Sequence, residues 1–167
     1  MRKAVTIAAY IALMLSVISC TKDGTERFEG EYTFKLGGTL TLVPTDTTGI
    51  DTIRASLQPE MGQMRITTID KEARLALITM DILGQGAAVL EATENDGRLD
   101  ITPKELRTSV VISGMTHSDA DLTVSGYGEK YEDMVIFSLR YDGSYTYRGV
   151  NYDITESQAD CIATLND

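Results

Sequence analysis

Few residues of this chain are of the types that do covalent chemistry. A thiol nucleophile needs a neighbouring base, and the only histidine is His117, set among the turn-forming residues of GMTHSDAD. Cys161 lies in QADCIATLND beside Ile162 and Ala163, where a cysteine reads as a small buried apolar residue. The pair Cys161 and His117 is therefore not taken as a catalytic couple, and His117 is expected in an exposed loop. Asp96 and Asp100 in ENDGRLD lack the alternating oxygen ligands and terminal Glu of an EF-hand loop, and they suit a hairpin instead. Glu129, Glu132 and Asp133 in GEKYEDM are interrupted by Lys130 and also suit a turn. Nucleophile elbow, P-loop, zinc-spaced His/Cys set and dinucleotide fingerprint are all absent. The expectation is no catalytic residue, no metal and no cofactor.

Tyrosine is the exception to this sparseness. Tyr127, Tyr131, Tyr141, Tyr145, Tyr147 and Tyr152 crowd into one stretch of the C-terminal half. A flat apolar ring with a polar tip suits sugar or peptide binding. Aromatic residues also simply favour strands. Tyr127, Tyr141, Tyr145 and Tyr147 form the candidate ligand surface, with Tyr141 and Tyr145 expected to face each other across an Asp142-Gly143 hairpin turn. A second candidate is a barrel interior lined by Leu77, Met80, Leu90, Leu122 and Phe137.

Cys20 has a different context. Arg2 and Lys3 precede the uncharged run AVTIAAYIALMLSVI, which ends at Ser19-Cys20. The run is shorter than the roughly 20 residues a spanning helix needs. A basic head, a short apolar body and small residues before a cleavage point mark a secretory signal peptide over residues 1–19. Val17-Ile18-Ser19-Cys20 resembles the lipobox of bacterial lipoproteins. That resemblance implies cleavage before Cys20, a diacylglycerol on its sulfur and acylation of its new amino group. Two or more acyl chains anchor stably where one does not. The implied partner is the membrane, the implied location the cell envelope as an outer-membrane lipoprotein on its periplasmic face or the cell surface. With Cys20 so used, Cys161 has no disulfide partner.

Net charge excludes one class of partner. The chain has 15 Lys and Arg against 25 Asp and Glu, a formal charge of −10. Without Arg2 and Lys3 the basic count is 13, giving −12 for residues 20–167. Nucleic-acid binding rests on clustered cations neutralising phosphate, and here the cations are scattered singly.

The elements that must hold these residues have a period of two. TKDGTERFEG, within residues 20–30, is polar and reads as a flexible tether. Beyond it, EYTFKL sets Tyr32, Phe34 and Leu36 on one side, and TLTLV follows Gly37-Gly38. DTIRASL, GQMRITTI, RLDIT, LRTSVVIS, DLTVSGYG and MVIFSLRY alternate likewise, while RLALITMDIL is almost continuously apolar. Gly84-Gln85-Gly86, Asn95-Asp96-Gly97 and Asp142-Gly143 are turn signals. Residues 156–165 read as a short helix or a last strand. About ten short strands without alternating helices predict an all-β antiparallel meander over residues 31–167, closed as a barrel or, as the alternative, folded as a β-sandwich.

These features together resemble the calycin-like, lipocalin-like β-barrel lipoproteins of Bacteroidales-type bacteria. The resemblance lies in the lipobox, the polar tether, FEGEYTFKLGGTLTL as an opening hairpin, LALITMDILGQGAAVLEAT as a central strand pair, and LTVSGYGEKYEDMVIFSLRYDG as a late hairpin. It implies a non-enzymatic envelope barrel that binds a small apolar or glycan-type ligand or a protein partner. The alternative is a structural or adhesion-type surface lipoprotein with a packed core and no small ligand.

Overall fold

The computed structural model describes residues 23–46, 49–84 and 86–167, without the side chains of 118 and 119. Residues 1–22, and with them the expected signal peptide and Cys20, lie outside the described residues. Ten strands follow a short 3-10 turn over Gly24–Phe28: β1 (Gly30–Pro44), β2 (Ile53–Leu57), β3 (Glu60–Asp70), β4 (Leu75–Ile82), β5 (Gly86–Asn95), β6 (Arg98–Ile112), β7 (Met115–Tyr131), β8 (Met134–Asp142), β9 (Ser144–Tyr147) and β10 (Val150–Leu165). All their pairings are antiparallel. Eight strands close a ring in the order β1-β3-β4-β5-β6-β7-β8-β10, with β10 returning to β1. The fold is thus a barrel and not a sandwich.

Alternation decides the inside. Tyr32, Phe34, Leu36, Leu40 and Leu42 point inward from β1, and Met64 and Ile66 from β3. On β4 the inward set is Ala76, Ile78 and Met80, so Leu77 is only half-buried and faces outward, contrary to its expected place in the lining. A near-continuous apolar run hides its own parity. Met80, Leu90, Leu122 and Phe137 are inside as expected.

Several strands are longer than their sequences suggest. β1 runs unbroken through Gly37-Gly38, so the opening hairpin does not form. Gly38 lets β1 lie directly on β10, since a Cβ there would sit 2.5 Å from that of Ala159. RLDIT and LRTSVVIS are one strand, β6, bent by irregularities between Ile101 and Lys104 and between Thr108 and Val110. Residues 156–165 belong to β10.

Asp142-Gly143 is a kink and not a hairpin turn. The chain continues through it into β9, which pairs with β10 around Arg148-Gly149. There both residues have positive φ, 51° and 79°, as a two-residue I′ turn requires. Asp96-Gly97 makes the same turn at 47° and 86°, as expected from its sequence. The expected β4–β5 and β7–β8 hairpins also form.

One end of the barrel is plugged. Phe28, the sole large apolar residue of the expected tether, is fully buried, and Thr25 with it. Gly24 to Gly30 of the expected tether are therefore part of the fold. Tyr32 Oη donates to Phe28 O at 2.6 Å, and Thr68 Oγ1 donates to Thr25 Oγ1 at 3.0 Å. The Arg27 guanidinium donates to Gly97 O and lies 4.7 Å above the Phe28 ring.

Candidate functional site

The barrel wall has a window. β5 and β6 pair from Asn95–Arg98 up to Ala92–Ile101, where the ladder stops. Beyond that point β6 bends, and Pro103, which has no N–H to donate, lies in the bend. β6 is next taken up by β2, through Ser56–Val111 and Leu57–Val110, and Gln58 N donates to Ser109 O at 2.8 Å. Between the two ladders, residues 86–91 of β5 and 102–108 of β6 diverge. Lys104 Nζ bridges them at one point by donating to Val89 O at 2.8 Å.

Behind the window lies a cavity of about 190 Å³. Leu36, Met80, Leu90, Val124, Leu139 and Tyr141 form its inner wall, and Ile82, Ala88 and Leu106 flank the opening. It sits between two filled layers. Toward the plug the next void is only about 10 Å³, among Met64, Ile78, Phe137 and Cys161. Toward the other end Leu40, Leu42, Leu57, Val110, Ile112, Tyr152 and Ile154 are buried. Among the described residues the barrel is thus a packed body with a side-opening chamber.

Glu60 is the polar group of this chamber that sequence reasoning missed. It opens β3, pairs with inward-facing Leu36, and is 8 % exposed. Alternation could have found it, because Glu60 shares parity with Gly62, Met64 and Ile66. Gly62 keeps the strand hard against β4: a Cβ there would sit 1.9 Å from Asp81 O. Thr108, also buried, lies in the lining as well, together with Arg107 and Tyr141.

The four candidate tyrosines do not share a surface. Tyr141 is buried in the chamber wall, and its backbone N donates to Ser157 Oγ at 2.8 Å. Burial raises its phenol above the ordinary range, and the negative charge of Glu60 raises it further. Tyr127 is on the outer face, with the Arg98 guanidinium 4.9 Å over its ring. Tyr145 and Tyr147 lie half-buried on β9, beyond the kink, packed against the core. Tyr145 pairs with Tyr152 and not with Tyr141, because β8 and β9 are successive partners of β10 and not partners of each other.

His117 is not in a loop but on β7 opposite Val110, half-buried, its ring edge-on to Tyr147 at 5.0 Å. Cys161 lies between Leu36 and Phe137 on the neighbouring strands, 1 % exposed and free. Burial pushes its thiol up to about 12, with the Glu60 charge as the lesser cause. A thiol so raised is not a nucleophile at neutral pH. Asp96 occupies its hairpin, and Asp100 receives Arg98 Nε at 2.8 Å and Asn95 Nδ2 at 3.3 Å. Glu129 accepts the Tyr131 hydroxyl at 2.6 Å, and Glu132 has a φ of 51° between β7 and β8. Among the described residues no three His, Cys, Asp or Glu gather as metal ligands.

No protein-family model matches this chain, and no curated protein matches it either. What is defined is therefore a class by architecture: an eight-stranded antiparallel barrel with a plugged end and a lateral chamber.

Proposed function

We propose that this chain is a non-enzymatic, lipid-anchored barrel of a Gram-negative cell envelope that binds a small, mostly apolar ligand. The observation that carries the binding reading is the chamber behind the β5–β6 window. Protein interiors normally leave few voids larger than a water, yet this one keeps about 190 Å³ open to the side. A dry apolar cavity of about 150 Å³ is enough to take up benzene. Drug-sized pockets begin at roughly 300 Å³, so the ligand is smaller than those. The membrane partner rests on Val17–Cys20 and the apolar run before it, as does the outer-membrane location.

The packed layers on either side of the chamber favour a second reading, a structural or adhesion-type surface lipoprotein. A glycan reading of the tyrosines has less support, since they are divided between inside, outside and the β9 hairpin. Titration with benzyl alcohol, followed by the methyl resonances of Leu90, Val124 and Leu139, separates the two main readings. Binding is expected, and Leu106→Trp at the window should abolish it. Unmoved methyl resonances at millimolar probe would leave the structural reading in its place.

A further inference from the structure

We propose that the β5–β6 window takes up an extended peptide, which adds as a strand to the open edge of β5 and sends one apolar side chain into the chamber. This deepens the ligand-binding reading and rests on it, the small apolar body in the chamber now being part of a polypeptide. A fully closed barrel has no sheet edge, and an edge left open is a template for pairing with another chain. Here β5 pairs with β4 from Gly86 to Thr93, but with β6 only from Ala92 to Asn95. The pair Asn95–Arg98, which closes the two-residue hairpin, fixes which way each backbone group points. Ala87 and Val89 turn theirs toward the window, whereas Ala88 and Leu90 turn theirs toward β4. Among the described residues, no strand pairs with Ala87 and Val89 on the window side.

Two details suit an incoming backbone. Val89 O already draws a donor across the gap, the Nζ of the exposed Lys104 at 2.8 Å. A peptide N–H offers the same bond without fixing a long, rotamer-rich side chain in one place. Gly86, Ala87 and Ala88 carry at most a methyl group, so a second backbone can come close.

Register then assigns the side chains. In an antiparallel ladder, residues directly opposite each other lie on the same face of the sheet. A peptide residue opposite Ala88 therefore points inward, and Ala88 flanks the mouth of the chamber of about 190 Å³. A void of about 150 Å³ takes up benzene, so a phenylalanine side chain fits. Its two neighbours fall opposite Ala87 and Val89, exchange backbone bonds with them, and leave their own side chains outside. Main-chain bonds supply the attachment and the chamber supplies the selectivity, as where a peptide extends a sheet edge.

Acetyl-Ser-Thr-Phe-Thr-Ser-amide is titrated into the purified protein. The amide resonances of Ala87 and Val89 and the methyl resonances of Leu90, Val124 and Leu139 are the readout, and both sets are expected to move. Alanine in place of the probe's phenylalanine should weaken binding at least about tenfold, the worth of a buried aromatic side chain. Methylating the amide nitrogens of its two threonines removes the bonds to β5 and should cost as much. Val89→Pro removes an edge donor but no β4 bond, so it should abolish peptide binding and leave benzyl alcohol within about twofold. If that variant does not fold, the N-methylated probe still decides on the unaltered protein.

Equal affinity for the parent and N-methylated probes overturns the proposal. So does peptide binding that survives Val89→Pro, or shifts confined to Ser144–Tyr147 of β9, the last strand of the sheet. Dimers that protect the Ala87 and Val89 amides without peptide would give the edge to a second copy, and they overturn it too. A protein that ignores the peptide while benzyl alcohol moves the chamber methyls loses strand addition and keeps the small-ligand reading. If neither probe moves them, both fall.

Discussion

Leu90→Ala measures whether the chamber exists in solution. Leu90 is 3 % exposed and borders both the open chamber and the small void beneath it. The substitution removes three carbons, and at about 0.8 kcal/mol per buried CH₂ the transfer loss is about 2.4 kcal/mol. In a closed core a further cavity term is added, and Leu→Ala costs span about 2–5 kcal/mol. At Leu90 that extra term should be small, because the space left behind joins a volume already open to water. Leu99 supplies the control: it is fully buried near the plugged end and lines neither void. Leu99→Ala should cost about 3–5 kcal/mol, at the upper end of the same series. Urea unfolding reads the difference, since slopes of about 1–3 kcal/mol per molar turn a gap of that order into a midpoint separation near 1 M. Equal midpoints for the two variants would mean that Leu90 sits in an ordinary closed core, and the window would be refuted.

Three further outcomes are expected. In the two-residue hairpin closed by Asn95 and Arg98, the backbone of alternate β5 residues points toward β6. The amides of Val89 and Glu91 should therefore exchange with solvent faster than those of Ala88 and Leu90, which point to β4; equal protection would mean that the wall is closed. Burial pushes Cys161 and Tyr32 up to about 12 and raises Tyr141. Because their neutral forms are favoured in the fold, this stability is complete below the unfolded pKa values of about 9–10 and is lost as pH rises toward 12. Urea midpoints should accordingly fall above pH 9, with tyrosinate absorbance from Tyr32 and Tyr141 delayed until unfolding; a flat profile to pH 11 would contradict it. Cys20→Ser should release the protein from the membrane fraction with an unchanged thermal midpoint, and continued membrane association would remove the lipid anchor from the account.

Period-two alternation made the all-β class readable, together with most of the interior. It failed where the information is not local. RLALITMDIL carries apolar residues on both faces, so only its partners β3 and β5 decide that Ile78 is inside and Leu77 outside. Gly37-Gly38 reads as a turn, yet the strand runs through it and Gly38 allows close packing on β10. Arg148-Gly149 lacks the usual Asn or Asp of a I′ turn, and Asp142-Gly143 has it without turning the chain. Glu60 was within reach of parity, but Pro59 just before it conceals the start of β3. The tyrosine cluster is dense in sequence and dispersed in space, because β8, β9 and β10 send neighbouring residues to different faces and different ends.

The window itself follows from a mismatch of strand lengths. β1 and β6 each span 15 residues, while β3, β4 and β5, which join them around one side, span 11, 8 and 10. Past the ends of those three strands the long pair is still extended, and only the five-residue β2 bridges it. The wall thus narrows from three intervening strands to one, and β6 must bend inward to meet β2. Its irregularities at Ile101–Lys104 and Thr108–Val110 bracket that bend, and with it the opening. Bulges of this kind re-aim a strand and end its pairing on one side. Glu60 begins β3 at this step in the wall, one residue after Pro59 and three after the end of β2. The step that opens the barrel is thereby also the step that turns a carboxylate into it, which is why the chamber and its acid are one feature of the chain and not two.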